Sequence, residues 1–143
     1  AAPGRRIVLI EASNVLGGQA TAGGVAGFCG DTELVNRPFR ECLELLATFN
    51  AVESFDPTAD RRAFHLEWFA FALQEMALKR GVEILLHSLV VDAKAEDHWL
   101  KEVEVATPVD VRRYAPKFAV DATGCCRLVE AAGWPIFHQG ALR

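Results

Sequence analysis

No run of apolar residues in this chain approaches the roughly 20 that a membrane-spanning helix needs, and no charged-then-apolar leader opens it. The expectation is a cytoplasmic chain without a membrane partner. A Lys/Arg-rich stripe is missing too: 15 basic residues stand against 19 acidic ones, the net charge is -4 and the pI is about 5.6. Neutralising phosphates needs clustered cations, so a nucleic-acid surface is excluded. Cys29, Cys42, Cys125 and Cys126 form neither a CxxC spacing nor a small disulfide framework, which fits a reducing setting. Strain makes two free thiols the expectation for the adjacent Cys125 and Cys126. None of His65, His87, His98 and His138 pairs with a Cys or another His at ligand spacing, so no metal site is expected. Internal repeats, low-complexity tracts and any Ser-His-Asp or paired-carboxylate spacing are likewise missing.

With 143 residues, 51% of them hydrophobic and 24% charged, the chain has the composition of a globular domain able to bury a core. Its most informative stretch is Ile7-Val8-Leu9-Ile10 followed by Glu11 and a nearly uncharged, glycine-rich segment to Gly24. Four branched apolar residues without alternation read as a strand buried on both faces, and the carboxyl ends of such strands are where open α/β sheets take ligands. Glu11 is placed to accept hydrogen bonds from ribose hydroxyls. The Gly17-Gly18-Gln19 and Gly23-Gly24 stretches let backbone N–H groups approach a ligand closely. A nucleotide site is the reading.

The opening Ala1-Ala2-Pro3-Gly4-Arg5-Arg6 reads as the tail of a helix and its glycine stop. Gly27-Phe28-Cys29-Gly30-Asp31 reads as a second small-residue loop. Cys29 there is either a redox thiol beside a cofactor or, as is commoner, a buried small hydrophobe. Pro38 marks the first turn of a helix with apolar Phe39, Cys42, Leu43, Leu46 and Phe49 on one face. After a connector holding Asp56-Pro57-Thr58, Asp60 is expected to cap a second helix running to Lys79 or Arg80 and closed by Gly81. His65 falls within that helix, and apolar residues from Phe64 to Leu78 cover more than half its circumference.

Val82 to Leu86 reads as another buried strand. Leu89, Val91, Ala93 and Ala95 then alternate with Val90, Asp92, Lys94 and Glu96, the period of a half-exposed strand. Trp99 to Thr107 and Val111 to Val120 complete an antiparallel meander. The last strand runs into Asp121-Ala122-Thr123-Gly124 and a short helix closed by Gly133.

The strand ending in Glu11, the Gly17-Gly18-Gln19-Ala20-Thr21 turn, the Gly24 to Asp31 loop, Arg80-Gly81-Val82-Glu83, Val90-Val91 and above all Val120-Asp121-Ala122-Thr123-Gly124 resemble the FAD-dependent oxidoreductases of the glutathione-reductase-like fold. The resemblance spans nearly the whole chain in order. It implies an α/β fold: a partial Rossmann-like FAD-binding domain over 1–143, with a helical insertion at about 33–81 and the meander at about 88–120. It further implies that Glu11 holds the adenosine ribose and that Gly17, Gly18 and Gln19 follow the nucleotide toward its diphosphate. Backbone at Val90 or Val91 would meet the adenine edge, Thr123 and Gly124 would pass the diphosphate, and the segment from Thr21 to Gly30 would run toward the flavin. A small-molecule substrate belongs to the full-length family.

No two glycines here are separated by a single residue, so the family's Gly-x-Gly-x-x-Gly loop, with its strand and helix, is not in this sequence, and the family's substrate domain is expected to be missing from it. Cys125-Cys126 stand where the family usually has an acidic or small residue. FAD binding by this chain alone is therefore expected to be weak, and the apolar edge of the strand at 7–11 is expected to be covered by a second copy or a companion chain. Two other readings stay open: a truncated, cofactor-free α/β scaffold acting as an oligomeric interaction module, and an NAD-binding Rossmann domain.

Overall fold

The computed structural model describes residues 4–30, 32, 36–54 and 61–136. Residues 1–3, Asp31, the Asp56-Pro57-Thr58 connector, the expected cap Asp60 and His138 lie outside them. The chain divides between Leu86 and His87 into two compact units.

In the first unit, β1 (Ile7–Ile10) runs parallel to β4 (Val82–Leu85), with Ile7 opposite Val82 and Ile10 opposite Leu85. The Glu11 amide extends the ladder by donating to the Leu85 carbonyl at 2.9 Å. Between these strands come β2 (Gly27–Cys29), α1 (Arg37–Thr48), β3 (Arg61–Ala63) and α2 (Leu66–Leu78). Both strands of the parallel pair are half-buried apart from Ile7 at its start.

The first helix forms as its sequence dictates. Asn36 precedes it in extended conformation, its side chain accepting from the Phe39 amide at 3.0 Å, and Pro38 sits in the first turn. Cys42, Leu43 and Leu46 are buried. Burial pushes the Cys42 thiol up to about 11, with the neighbouring Glu41 charge adding to the shift, so this cysteine is an inert core group. The helix stops without glycine. Asn50 takes the left-handed conformation at φ 54°, its amide bonds the Ala47 carbonyl, and the Ala51 amide bonds that of Leu46, each at 3.0 Å. Ala51 and Leu46 are both core residues, the apolar contact that usually accompanies this motif. Phe49, expected on the inner face, is instead 38% exposed and stacks on Trp68 with ring centres 4.2 Å apart.

The second helix starts later than its apolar content suggests. Arg61–Ala63 is a strand, pairing antiparallel with β2 so that Phe28 faces Arg62 and Cys29 faces Arg61. Extended backbone here carries Phe64 into the core, where it stacks on Phe28 at 4.2 Å. Helical backbone through the same residues would forfeit both the ladder and the stack. His65 is the N-cap, its imidazole exposed and its Nδ1 2.9 Å from the Glu67 carboxylate. The core gathers Cys42, Leu46, Ala51, Phe64, Phe69 and Ala72. Phe28 ties its parts together by also meeting Phe39 edge-on at 4.7 Å and Phe69 at 5.4 Å. Beyond the end of α2, Arg80 grips Glu41 of α1 through two N–H donors, one of them 3.0 Å from Glu41 Oε1.

The second unit is the antiparallel meander β5 (Leu89–Glu96), β6 (Trp99–Ala106) and β7 (Val111–Tyr114), followed by α3 (Arg127–Ala131), which lies against β5. Asp97 and His98, both at positive φ, form the two-residue loop between β5 and β6. The expected inner face of β5 changes phase. A bulge between Val90 and Asp92 leaves Val91 without a partner in β6, so Val90 and Ala93 are buried while Leu89 and Val91 are exposed. Opposite them Val103 and Val105 are buried, and Leu128 of α3 is buried as well. Lys94 faces Glu102 across the ladder and Glu104 faces Arg113, each pair 2.7 Å apart. The third strand ends at Tyr114, not Val120. Pro116 removes a backbone donor just beyond it, and Phe118 and Val120 lie outside any strand, 79% and 88% exposed.

Phe28 joins two strands and two helices, so its truncation removes contacts from all of them. We expect Phe28→Ala to lower unfolding stability by about 3 kcal/mol and Phe28→Leu by less, read from urea denaturation midpoints. Equal midpoints for wild type and Phe28→Ala would refute this packing.

Candidate functional site

The segment after β1 is a self-bonded turn. Glu11 sits at the carboxyl end of the strand, and its Oε1 accepts from the Ser13 amide at 2.7 Å. Gly17 and Gly18 both take positive φ and open a single 3-10 turn over Gly18–Ala20. A side chain at Gly17 would be strained twice, since φ is 110° and a Cβ would fall 2.7 Å from the Thr21 methyl. Thr21 is buried, and its hydroxyl donates to the Leu16 carbonyl at 2.7 Å. Its side chain therefore fastens the turn.

Amides of this segment are largely committed. Ala20 bonds Gly17, Thr21 and Gly23 both bond Gly18, Gly24 bonds Thr21 and Val25 bonds Gln19, all at 2.9–3.1 Å. Fewer donors remain for a ligand than its glycine content suggests, and those at the start of the turn, Gly17, Gly18 and Gln19, are not among these five. Cys29 corrects the expectation of a buried small hydrophobe. The β2 alternation turns Phe28 inward and leaves Cys29 exposed. Cys125 and Cys126 are free thiols, as expected.

In the second unit the residue that organises the site is Asp121. Its Oδ1 accepts from the Thr123 amide at 3.0 Å and the Thr123 hydroxyl at 2.6 Å. Its Oδ2 accepts from the Leu128 and Val129 amides of α3 at 2.9 and 3.1 Å. Thr123 Oγ1 in turn accepts from the Arg127 amide at 3.0 Å. One carboxylate thus fixes the Ala122-Thr123-Gly124 turn and satisfies the first amides of the helix. Sequence reasoning named Thr123 and Gly124 and passed over Asp121. The available signal was an Asp two residues before a Thr and a few residues before a helix, the pattern of a side chain that bonds local backbone.

The expected site residues are thus held by two frameworks. Glu11, Gly17, Gly18, Gln19 and Thr21 lie on one continuous turn of the first unit, and Cys29 on β2 of the same unit. Val90 and Val91 belong to β5 of the second unit, and Thr123 and Gly124 to the turn entering α3, the helix that packs on β5. Among the described residues no group of three or more His, Cys, Asp or Glu could hold a metal ion, and no helix is long and apolar enough to cross a membrane.

Burial pushes the Asp121 carboxyl up, but the bonds from Thr123, Val129 and Leu128 outweigh it and hold the group below the usual aspartate range. A folded-state pKa below the unfolded one stabilises fully above the unfolded value, about 3.9, and the contribution is lost as pH falls through the folded value. We expect Asp121→Ala to cost about 1–2 kcal/mol near neutrality, as for a lost helix cap. The gap between variant and wild type should narrow below about pH 4, measured by thermal melts across pH. A gap that stays constant into strong acid would contradict the assigned bonds.

Comparison with known proteins agrees with this architecture. The family model for FAD dependent oxidoreductases matches residues 1–141. No curated protein sequence matches the chain. Among solved structures, THI4 of Thermovibrio ammonificans superposes with a TM-score of 0.60 at 18% identity, covering 92% of this chain and 55% of that one. NikD, an unusual amino acid oxidase essential for nikkomycin biosynthesis, gives a TM-score of 0.42 at 11% identity over 77% of this chain and 43% of its own. The chain thus spans about half the length of these proteins. The likeness to THI4 shows the fold. With a parallel pair ending in an acidic residue and a glycine turn, a helical insertion, and a meander leading to Asp-Ala-Thr-Gly, the matched chain belongs to the FAD dependent oxidoreductase family.

Proposed function

We propose that this chain forms the ribose- and flavin-facing part of an FAD site in an oxidoreductase. The observation that carries the reading is the Glu11 to Gly24 turn at the carboxyl end of a parallel strand, in a chain matched to that family along nearly its whole length. The residues present fit the group. Glu11 is a carboxylate acceptor for ribose hydroxyls, and Gly18, where an added Cβ would meet nothing within 4 Å, leaves open room beside the backbone. Gly17, Gly18 and Gln19 supply amides toward the nucleotide, and Thr21 keeps that turn in shape.

In the second unit the bulged residue Val91 has backbone outside the ladder and suits the adenine edge, with Val90 anchoring it in the core. Asp121 and Thr123 occupy the amides of Thr123, Arg127, Leu128 and Val129, so in this reading contact with the diphosphate from this turn is made by other backbone of the turn, Gly124 included. FAD, when bound, supplies hydride and electron transfer. The residues of this chain bind and orient it. Cys29, exposed at the end of β2, is the candidate redox thiol of the first unit.

The heavy internal use of turn amides favours a second reading, a scaffold that keeps the fold without the cofactor. Adding FAD to the purified protein and following the change in flavin fluorescence separates the two. Saturable binding that weakens tenfold or more in Glu11→Ala, the loss of a hydrogen bond to a charged group, supports the flavin site. Absence of saturable binding sinks it in favour of the scaffold.

Partner binding follows from the edge of β1. Among the described residues β1 pairs with β4 alone, and its Ile7-Val8-Leu9-Ile10 carries no charge or proline to deter a further strand. A second copy or a companion chain covers that edge. Light scattering should give a mass above the monomer, and replacing Val8 with Pro should return it to monomer. A monomer at all concentrations of wild type would refute self-association.

A further inference from the structure

Cys125 and Cys126 stand side by side in the turn that leads into α3, and both thiols are free and exposed. Cys42 is buried in the core, and Cys29 lies on β2 of the first unit. The pair is therefore the one place where the sequence itself holds two thiols together. An exposed thiol is open to small electrophiles, and a second thiol beside it can resolve the product.

The backbone is anchored on both sides of the pair. Ahead of it, Asp121 Oδ1 accepts from the Thr123 amide and hydroxyl, and behind it Asp121 Oδ2 accepts from the Leu128 and Val129 amides. Thr123 Oγ1 spans the pair, accepting from the Arg127 amide at 3.0 Å and from the Cys125 thiol at 3.8 Å. The Cys126 carbonyl accepts from the Glu130 amide of α3 at 2.9 Å. Between these anchors Cys126 takes φ 58° and ψ 34°, a left-handed conformation that a residue with a Cβ enters only at a cost.

We infer that Cys125 and Cys126 are a peroxide-responsive dithiol that closes to a vicinal disulfide. One sulfur, as thiolate, attacks the O–O bond of hydrogen peroxide. An S–O bond forms, and the departing hydroxide takes up the proton which that thiol gave to solvent. The other sulfur then attacks the sulfenic sulfur, the S–S bond forms as the S–O bond breaks, and the oxygen leaves as water with the second thiol's proton. Two electrons pass from the sulfurs to the peroxide, and two waters are released. The second step is favoured because its nucleophile is tethered beside the target. Across a trans peptide neighbouring Cα atoms are about 3.8 Å apart, less than the roughly 4.4–6.8 Å usual for a disulfide, so closure strains the flanking backbone. Strained, exposed disulfides are the easily reduced ones, which keeps the resting pair as thiols and makes closure reversible. The strain falls on Cys126 and on the Glu130 bond to its carbonyl, so closing the disulfide loosens the first turn of α3. The chemistry uses no flavin and stands apart from the reading above.

The test treats the dilute, reduced, intact protein with hydrogen peroxide, alkylates the remaining thiols and maps them by mass spectrometry. Trypsin cuts after Lys117 and Arg127, which places both cysteines in one peptide without Cys29. That peptide should be two hydrogens lighter and unalkylated, and dithiothreitol should restore both thiols. Cys125→Ser and Cys126→Ser should each lose this product completely and leave the other cysteine as a sulfenic acid that dimedone traps. Both positions are exposed, so each variant should keep the wild-type Tm. Oxidation should speed hydrogen exchange at the Glu130 amide roughly fivefold in wild type, the loss of one backbone hydrogen bond, and leave it unchanged in either variant. The inference is overturned if both cysteines are still alkylated after peroxide, if the bridge joins two molecules or reaches Cys29, if wild type stops at the sulfenic acid as the variants do, or if Glu130 exchange does not respond to closure.

Discussion

The first unit depends on one constraint, the parallel pairing of β1 with β4. Antiparallel neighbours can be joined by a two-residue loop, but parallel ones need a crossover that returns the chain to its starting end. Here the crossover contains β2, α1, β3 and α2, so every other element of the unit is inside the connection the pairing requires. The order of those elements explains the central position of Phe28. It lies on the first strand after the glycine turn, and the later elements each bring an aromatic side chain back to it. Packing around this ring ties the elements of the crossover together and so helps offset the entropy of holding together ends distant in sequence.

The two turns of the candidate site share a physical solution. Each meets its local hydrogen-bonding needs with one polar side chain planted among backbone amides and carbonyls, Thr21 in the first and Asp121 in the second. A turn held in this way is ordered before any ligand arrives, so a ligand need not meet the cost of ordering it. The same arrangement limits the ligand to those amides the protein has not already used. Glu11 shows both sides of this balance, with one oxygen committed to the Ser13 amide while the residue still presents a carboxylate at the strand end.

The signals legible in the sequence were those written in a single local pattern. Branched apolar runs gave β1 and β4, and the spacing from Phe39 to Leu46 with Pro38 gave α1. Misplaced features depended on pairing or on a change of phase. Arg61 to Phe64 looked like the start of a helix because its strand partner, Gly27 to Cys29, is far away in sequence. The inner face of β5 was mistaken because one bulge at Val91 reverses the alternation, and nothing in the side chains of Val90 and Val91 marks which is the extra residue. Cys29 was expected inside because the loop around it is small and apolar, whereas its depth is decided by which β2 side chain points at the core. Asp121 was overlooked because its partners, the amides of Leu128 and Val129, leave no mark on side-chain composition.

The bulge in β5 has a further consequence, for how the second unit behaves among other molecules. Among the described residues β5 and β7 are the outer strands of the meander, and outer strands invite uncontrolled pairing and fibril growth. At Val91 the bulge breaks the regular rhythm of donors and acceptors on β5, while Asp92, Lys94 and Glu96 add charge along it. On the other side β7 is only four residues long, carries Arg112 and Arg113, and is followed by Pro116. Both margins of this sheet are blunted against strand addition. The unit is thereby protected from aggregation as it is synthesised and folds, by the same irregularity that sets Val91 apart from its ladder.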